Sequence, residues 1–356
     1  MRQSDIRVKV CVLGGGPAAA IAASVARQVT SSVFWVGSGH GGLLQPFQHG
    51  HTRLNPFPVF PVRESLLYCQ LDLHRYGALA SNLEVSEWGG DTGGDLRETS
   101  WGSESLLGYQ ALQGAGRGIT RSLKLFGSKA AERPLPLVQS KFITHYGSER
   151  PRWTRVGYVE GLSVYTHWLL RTSARPDLQA VVRRLDLSRR VLHTACGAIT
   201  YELLIACIPL PALIRLSAIS PQLMFETGEA RFSLFSGATG TTANQLIYDD
   251  RPDSPFYRVF AIKDGYLCVQ TAADMKPCLA DYISLWRKLG VGSPTFLTHL
   301  HVPMAYPLGP DSSIVEGTRS ALRALGVALC GRLAEWRYID LHEVDWKAIR
   351  DAAEHP

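Results

Sequence analysis

Glycines with a characteristic spacing follow the first apolar segment of the chain. Gly14, Gly16 and Ala19 form a G-x-G-x-x-A pattern between a predicted strand and a predicted alanine-rich helix. The first glycine permits a tight turn, the second lets the backbone approach a pyrophosphate, and the small third residue allows close packing of helix on strand. Pro17 suits the first helical turn, and a helix N-terminus favours phosphate groups. The segment predicts a dinucleotide site at Gly14, Gly16, Pro17 and Ala18.

The carboxylate that normally accompanies this glycine pattern is missing. Dinucleotide folds usually carry Asp or Glu about 20 residues past the glycines, where it binds the ribose hydroxyls. Here the second predicted strand, residues 32–36, is followed by Gly-Ser-Gly-His, and no acidic residue occurs between Asp5 and Glu64. Ser38 is the candidate to hydrogen-bond a ribose hydroxyl instead. This segment therefore leaves the identity of the dinucleotide open.

The composition is that of a folded enzyme. The chain of 356 residues is 46% hydrophobic, which is enough for a sizeable core in two intertwined domains. No run of about 18 apolar residues predicts a membrane span. The formal net charge of +6 is spread along the chain, which favours a small anionic ligand over nucleic acid. A basic N-terminus before an apolar stretch is typical of secretory signals, but glycines and a proline interrupt this one.

The other reactive side chains point away from metal, hydrolase and kinase chemistry. Seven cysteines, an odd number without C-x-x-C spacing, indicate reduced core residues of a cytoplasmic protein. His299 and His301 alternate on a predicted strand, but no third ligand has suitable spacing, so no metal site is predicted. The sequence contains neither a G-x-S-x-G nucleophile elbow nor a G-x-x-x-x-G-K-[ST] phosphate loop.

Periodic patterns predict alternating strands and helices at both ends of the chain and antiparallel strands in the middle. The predicted strands lie at 8–13, 32–36, 135–138, 179–185, 190–196, 201–209, 245–248, 257–262 and 266–271. The predicted helices lie at 17–29, 62–71, 161–170, 279–289 and 340–353. Residues 85–118, rich in Gly, Ser and acidic side chains, are predicted to form a mobile loop or lid. The class is α/β with an inserted α+β region.

Further short motifs follow one another along the chain. They are H-G-H at 49–51, G-Y-V-E-G at 157–161, C-I-P at 207–209, F-Y-R at 256–258, Y-P at 306–307 and G-R-L-A-E-W-R-Y-I-D at 331–340. Their order resembles that of the UDP-galactopyranose mutase branch of the flavin amine-oxidase-like superfamily. The resemblance covers nearly the whole chain, and the last motif is the most distinctive.

The resemblance implies FAD as the cofactor and an α/β fold in which a Rossmann-type FAD-binding domain carries an inserted α+β substrate domain with an antiparallel sheet. The implied FAD-binding parts are residues 1–65, 151–215 and 306–356. The implied insertions are a helical or lid region at 66–150 and the substrate-domain sheet at 216–305.

The closing motif would contribute to the cofactor site. By resemblance, Gly331 and Arg332 approach the FAD pyrophosphate, with the guanidinium as a fork-shaped partner for phosphate oxygens. Asp340 and Leu341 are expected at the start of the last helix, whose N-terminal amides would face the pyrimidine end of the flavin. An ordinary strand and helix boundary, with Arg332 as a surface charge, is the alternative.

A glycine pair after the second strand departs from the family pattern. Gly41 and Gly42 match the first part of the family's G-G-L-x-R segment near the cofactor phosphates, but Gln45 stands where the arginine is expected. The two glycines remain candidate cofactor-binding residues.

Three side chains are candidates for catalysis. His51 matches the histidine near the flavin and can exchange protons near neutrality, although a turn histidine bonded to backbone is the alternative. Arg258 would pair with a substrate phosphate or carboxylate or face the flavin, unless it forms a surface ion pair with the aspartates at 249–250. Tyr306 would line the substrate cleft, although a packing role is equally common for such tyrosines.

The resemblance leaves the reaction open. Residues 225–250 lack the Y-R-S-L-type signature of bacterial mutases, which favours an FAD-dependent oxidoreductase or a divergent flavin-dependent isomerase that acts on a small molecule in a biosynthetic pathway. A UDP-galactopyranose mutase-type isomerase acting on a sugar nucleotide is the first alternative. A degenerate member that uses NADP(H), with Ser38 or Arg53 near a 2′-phosphate, or no cofactor at all is the second.

Overall fold

The computed structural model describes residues 6–39, 41–77, 83–88, 124–127, 155–219, 225–249, 251, 253–308 and 312–356. Its strands are β1 (Ile6–Leu13), β2 (Val33–Gly37), β3 (Phe47–His49), β4 (Thr52–Leu54), β5 (Glu84–Trp88), β6 (Leu178–Gln179), β7 (Val182–Asp186), β8 (Val191–Thr194), β9 (Gly197–Ala206), β10 (Glu226–Ala238), β11 (Gln245–Asp249), β12 (Phe256–Lys263), β13 (Gly265–Thr271), β14 (Thr295–Leu308) and β15 (Val327–Leu329). Its helices are α1 (Pro17–Arg27), α2 (Leu66–Gln70), α3 (His74–Gly77), α4 (Val164–Thr172), α5 (Leu210–Ser217), α6 (Leu279–Leu289), α7 (Ser312–Ala324) and α8 (Trp346–Glu354).

The first sheet has the order β6-β2-β1-β9-β8-β7, with β15 also paired to β9. Strand β1 lies parallel to both β2 and β9, and β15 lies parallel to β9. Because parallel strands end at the same edge, the carboxyl ends of β1, β9 and β15 meet there. The alanine-rich face of α1 is buried against this sheet, and α8 packs on α1. Residues near both ends of the chain therefore build one edge of one sheet.

The second sheet has the order β14-β10-β13-β12-β11-β5. Neighbouring strands from β14 to β11 are antiparallel, and β5 joins β11 in parallel. Aromatic and aliphatic side chains such as Phe232, Leu234 and Phe260 are buried on this sheet. The arrangement confirms the predicted α/β class with an additional antiparallel sheet.

Several element boundaries differ from the sequence prediction. The last helix begins at Trp346 and not at Asp340, because Val344 is extended and Asp345 caps the helix by accepting a hydrogen bond from the Ala348 amide at 2.9 Å. The helix predicted at 62–71 is shorter, since Ser65 caps it just before Leu66. Strand β9 begins earlier than predicted and ends at Ala206, before the C-I-P motif.

Other predictions had different outcomes. Strand β10 and helices α5 and α7 were not predicted, and β14 was predicted only around His299 and His301. The strand predicted at 135–138 and most of the loop predicted at 85–118 lie outside the described residues; β5 occupies the first residues of that loop. All seven cysteines are free, but Cys69, Cys196 and Cys278 are exposed, so the core prediction was wrong for these three. Among the described helices, none has the length and apolar character needed to cross a bilayer.

Candidate functional site

A cavity of about 480 Å³ lies beside the glycine turn, with walls from both sheets. Ten of the predicted site residues line it: Gly16, Pro17, Ala18, Gly42, Arg258, Tyr306, Gly331, Arg332, Asp340 and Leu341. The other four, Gly14, Ser38, Gly41 and His51, are not among its lining residues. The cavity therefore joins the N-terminal glycine turn, the closing motif and the second sheet.

The glycine turn has the geometry that its spacing predicts. Gly14 has φ +145°, and a Cβ atom there would lie 3.1 Å from the Cβ of Cys207 and 3.2 Å from that of Ala19. At Gly16 no heavy atom lies within 4 Å of an added Cβ, so this position is open. Gly16 is also the N-cap of α1, whose N-terminus has no side-chain cap and no acidic residue in its first turn. An anion can therefore approach these backbone amides.

The closing motif contacts the first turn of α1. Gly331 has φ +93°, and an added Cβ would lie only 2.8 Å from the Cβ of Ala18. Gly42, with φ +50°, would bring a Cβ within 3.0 Å of the Gly16 Cα. Gly41, with φ +75°, packs against Leu169 of α4, where an added Cβ would lie 2.5 Å from Cδ2. Three chain segments therefore meet at the helix N-terminus with contacts that leave no room for side chains.

Arg332 is held by the chain itself. Its Nη2 donates to Asp340 Oδ1 at 2.7 Å, its Nε to the Ile339 carbonyl at 2.9 Å and its Nη1 to the Ala305 carbonyl at 3.4 Å. Its guanidinium also lies 4.7 Å from the ring centre of Tyr338. Burial alone would lower the pKa of Arg332, but the Asp340 carboxylate and neighbouring tyrosines raise it. Arg332 is a charged group on the cavity wall that ties the closing motif to β14.

Asp340 and Leu341 line the cavity from a single 3₁₀ turn, Leu341–Glu343. The Asp340 amide donates to Glu343 Oε2 at 2.6 Å, and the Glu343 amide donates to the Asp340 carbonyl at 3.0 Å. The predicted position of these residues at the start of the last helix was wrong. What faces the cavity is a tight turn that precedes that helix.

Arg258 lines the cavity from β12, near Tyr306 and Tyr338, and the guanidinium of Arg332 lies over the same two rings. Its Nε donates to Gln270 Oε1 at 2.8 Å, and Gln270 Nε2 donates to the Tyr306 hydroxyl at 3.0 Å. Burial alone would lower the pKa of Arg258, but surrounding tyrosines, Tyr248 first, raise it. Among the described residues, no carboxylate forms an ion pair with Arg258. The guanidinium is thus a fixed cation whose nearest partners are an amide and aromatic rings.

Asp249, which the sequence offered as an ion-pair partner of Arg258, pairs with other cations. Asp249 is fully buried, and its Oδ2 accepts from Arg251 Nη2 at 2.6 Å and from the Ser254 hydroxyl at 2.7 Å. Lys124 lies 4.0 Å from its other oxygen. Residue 250 lies outside the described residues. Asp249 therefore belongs to a local charge cluster and not to Arg258.

Two predicted residues lie away from the cavity. His51 is exposed in the turn between β3 and β4, while the neighbouring His49 places Nδ1 3.3 Å from the Tyr266 hydroxyl. Ser38 is exposed after β2, next to Gly39, whose amide nitrogen would lie 3.1 Å from a Cβ on Gly15. Ser38 is thus near the glycine turn but open to solvent.

The two histidines considered as metal ligands have other partners. His299 Nδ1 lies 3.0 Å from Ser233 Oγ, and His301 Nε2 lies 2.7 Å from Glu229 Oε2. Within the described ranges, no three His, Cys, Asp or Glu side chains are grouped to hold a metal ion.

Tyr165 is a cavity residue that sequence reasoning missed. It lies in the first turn of α4, is 1% exposed, and its buried hydroxyl has no hydrogen-bond partner among the described residues. Burial raises the pKa of Tyr165, so the hydroxyl stays protonated and can donate. The sequence signal was only helical spacing, because Tyr165 and Leu169 share a buried face four residues apart. Neither residue type nor spacing shows that the hydroxyl lacks a partner.

Known proteins share this architecture without close sequence similarity. No family model matches the sequence, and no curated protein in the comparison matches it. The fold is nevertheless shared with solved structures that include a UDP-galactopyranose mutase and a putrescine oxidase, as the motifs predicted.

Individual solved structures align over nearly the whole chain. Reduced UDP-galactopyranose mutase aligns with a TM-score of 0.68 at 14% identity, covering 98% of this chain and 93% of that one. The CLA-producing fatty acid isomerase from P. acnes aligns with a TM-score of 0.63 at 11% identity, covering 98% of both chains. Putrescine oxidase bound to putrescine aligns with a TM-score of 0.60 at 12% identity, covering 99% and 98%.

Proposed function

We propose that this protein is an FAD-dependent enzyme, an oxidoreductase or a divergent flavin-dependent isomerase, that acts on a small organic anion. The observation that carries the proposal is the placement of Arg258, a cation without a carboxylate partner in the described chain, in the same cavity as the open glycine turn. One cavity then holds a phosphate-binding element and a separate cation for substrate.

The residues around the glycine turn fit a flavin dinucleotide. The open face of Gly16 and the uncapped N-terminus of α1 suit a pyrophosphate, while Gly42 and Gly331 complete the cradle. The Tyr165 hydroxyl supplies a donor that needs a partner, and a bound cofactor would provide one. When bound, the flavin would supply the electron-transfer or covalent chemistry. Binding at the adenosine end would depend on Ser38 and backbone groups, since no carboxylate follows β2.

The substrate part of the cavity favours one anionic group on an apolar body. Phe57, Phe60, Phe232 and Met304 contribute to its walls. A hydrogen bond from a guanidinium to an anion contributes about 1.5–3 kcal/mol. Arg258 would therefore orient the anion, and Gln270 would fix the guanidinium through its Nε. The apolar walls would exclude water from the reacting part of the substrate.

The first test is an absorption spectrum of the purified protein before and after anaerobic reduction, with mass identification of any released cofactor. Flavin bands that bleach on reduction are expected. A colourless protein that does not take up added FAD would contradict the proposal and favour NADP(H) or a cofactor-free role.

Two matched glycine variants locate the cofactor. At both Gly16 and Gly317 an added Cβ meets no atom within 4 Å, and neither has positive φ, but only Gly16 lines the cavity. We expect Gly16→Val to cost the apoprotein about 1 kcal/mol, because valine is a poorer N-cap than glycine, and to lose FAD, whereas Gly317→Val keeps FAD binding and stability. Equal FAD retention in the two variants would place the cofactor elsewhere.

The reaction type needs a separate assay. Incubation of the reduced protein with UDP-galactopyranose distinguishes the mutase alternative from the preferred reading. No conversion is expected, because residues 225–250 lack the Y-R-S-L-type signature of the bacterial mutases. Formation of the furanose product would establish the sugar-nucleotide reaction instead.

A further inference from the structure

Two cysteines stand side by side at the edge of the first sheet where the cavity lies. Strands β9 and β15 end with Ala206 opposite Leu329, so Cys207 and Cys330 follow as the next pair. The Cys330 amide donates to the Ala206 carbonyl at 3.0 Å, and the Cys207 amide donates to the Leu13 carbonyl at 2.8 Å. The backbone of both residues is therefore fixed, and both line the cavity.

The two thiols differ in their surroundings. Cys330 is 1% exposed, whereas Cys207 is half-buried. Interaction with the Cys207 side chain, followed by burial, raises the pKa of Cys330, so Cys330 keeps its proton at neutral pH. The strand register and the shared cavity wall place the two side chains next to each other. Of the seven cysteines, all of which the structure describes, only these two line the cavity.

We infer that Cys207 and Cys330 form a reversible dithiol–disulfide site in the cavity wall, with hydrogen peroxide as the oxidant. The Cys207 thiolate attacks one peroxide oxygen, breaking the O–O bond to give a sulfenic acid and hydroxide. The Cys330 sulfur then attacks the Cys207 sulfur, forming the S–S bond and releasing water. In total, two thiols are oxidised, one peroxide is reduced, and two waters form. The inference does not depend on the proposed cofactor.

The position of the pair gives the disulfide a consequence for the cavity. The Cβ of Cys207 lies 3.1 Å from where a Cβ of Gly14 would stand, and Cys330 directly precedes Gly331. A bond between the sulfurs would join the ends of β9 and β15 beside the glycine turn. We expect the oxidised protein to have lower affinity for a ligand bound there.

Peptide mapping after treatment with hydrogen peroxide tests the site. The expected product is a peptide pair joined through Cys207 and Cys330, two hydrogens lighter than the separate thiols and released by dithiothreitol, while Cys11 and Cys268 remain thiols. In Cys330→Ala, dimedone should trap a sulfenic acid at Cys207 that is absent from wild type. Cys278→Ser, at an exposed position, should behave as wild type. Oxidation of exposed cysteines without the joined pair would overturn the inference.

The inference can also be tested on the wild-type protein, so that the result does not depend on whether a variant folds. Phenylarsine oxide bridges two neighbouring thiols and should bind the wild-type protein at one equivalent, protecting both Cys207 and Cys330 from alkylation. Alkylation of Cys207 at the same rate with and without the arsenical would overturn the inference.

Discussion

Removal of the Tyr165 hydroxyl tests whether this group stabilises the fold or binds a ligand. A buried donor without an acceptor costs about 1–3 kcal/mol, so removing it does not destabilise the apoprotein. Tyr165→Phe should leave the free energy of unfolding of the apoprotein equal or higher by about 1 kcal/mol, and weaken FAD binding roughly 5- to 30-fold. Urea unfolding and a flavin fluorescence titration measure the two effects.

Tyr201 provides the matched control for this variant. Its hydroxyl is likewise buried without a partner in the described chain, but it does not line the cavity. Tyr201→Phe should match Tyr165→Phe in stability and keep the FAD affinity of wild type. Equal affinity in both variants would mean that Tyr165 does not contact the cofactor.

Asp249 makes stability depend on pH. Burial alone would raise its pKa, but hydrogen bonds from Arg251 and Ser254 and the charge of Lys124 hold the pKa below its usual value. Its contribution is therefore present above the unfolded pKa of about 3.9 and is lost as the pH falls through the lower folded pKa. Asp249→Asn should cost about 3–5 kcal/mol at pH 7, with the difference from wild type shrinking below about pH 4.

Urea unfolding across this pH range measures the effect of the Asp249 substitution. Asp264→Asn serves as the control, because Asp264 is exposed and, among the described residues, accepts a hydrogen bond from the Ala243 amide alone, at 3.2 Å. A stability difference for Asp249→Asn that is constant from pH 7 to pH 3 would show that charge is not the cause.

The sequence predicted the site residues whose role depends on backbone conformation. It did not predict side chains whose role depends on neighbours from distant parts of the chain. Gly14 and Gly16 were predictable because a tight turn and an open approach both require glycine. Tyr165 was not, because its lack of a partner depends on how α4 packs. His51 was assigned by motif, and the hairpin of β3 and β4 instead places it in an exposed turn.

At the scale of elements, the contact between α1 and the segment that follows β15 can be tested by a mutant cycle. Gly331→Ala places a Cβ 2.8 Å from that of Ala18 at a positive φ, and should destabilise the protein by about 1–3 kcal/mol. Adding Ala18→Gly should recover at least about 0.5 kcal/mol relative to the sum of the single changes. Thermal unfolding of the four proteins measures the coupling.

A substitution at Gly326 is the control that separates the cost of backbone strain from the cost of the contact between residue 331 and Ala18. Gly326 precedes β15 with φ +77°, and the nearest atoms to an added Cβ lie at 3.4 Å or more. Gly326→Ala should therefore show the cost of positive φ without coupling to Ala18→Gly. If Gly331→Ala and Ala18→Gly were strictly additive, the close contact would not be a determinant of stability.

The length of strand β14 was underestimated from the sequence, which predicted a strand only around His299 and His301. Strand β14 also contains Pro303 and Pro307, and because proline removes a ladder donor, the pattern argues against a strand that continues past His301. The structure places β14 at the end of the second sheet, where an unpaired edge tolerates proline. Helix α6, by contrast, matches its predicted bounds, because Asp281 accepts from the Cys278 amide at its start and Gly290 ends it at φ +67°. The bounds of α6 are thus predictable from neighbouring residues, whereas the length of β14 depends on its position in the sheet.

At the scale of the whole molecule, ligand binding should stabilise both sheets together, because both contribute to the cavity. With FAD at about 100 times its dissociation constant, the free energy of unfolding should rise by about 2.7 kcal/mol. Trp35 lies in the first sheet and Trp286 packs against the second. Unfolding of each sheet can be followed as the fluorescence that is lost when Trp35 or Trp286 alone is replaced by Phe. Stabilisation of one sheet alone would show that the ligand does not bridge them.

The contact between Gly331 and the first turn of α1 also orders events during synthesis. Roughly 300 residues of chain separate Gly16 from Gly331. At about 5–20 residues per second, the ribosome needs roughly 15–60 s to reach the second from the first. During that interval the nascent chain contains β1, α1 and Gly16, whereas β15 and Gly331 have not yet been synthesised. Capture of the proposed cofactor would therefore come only after Gly331 has been translated.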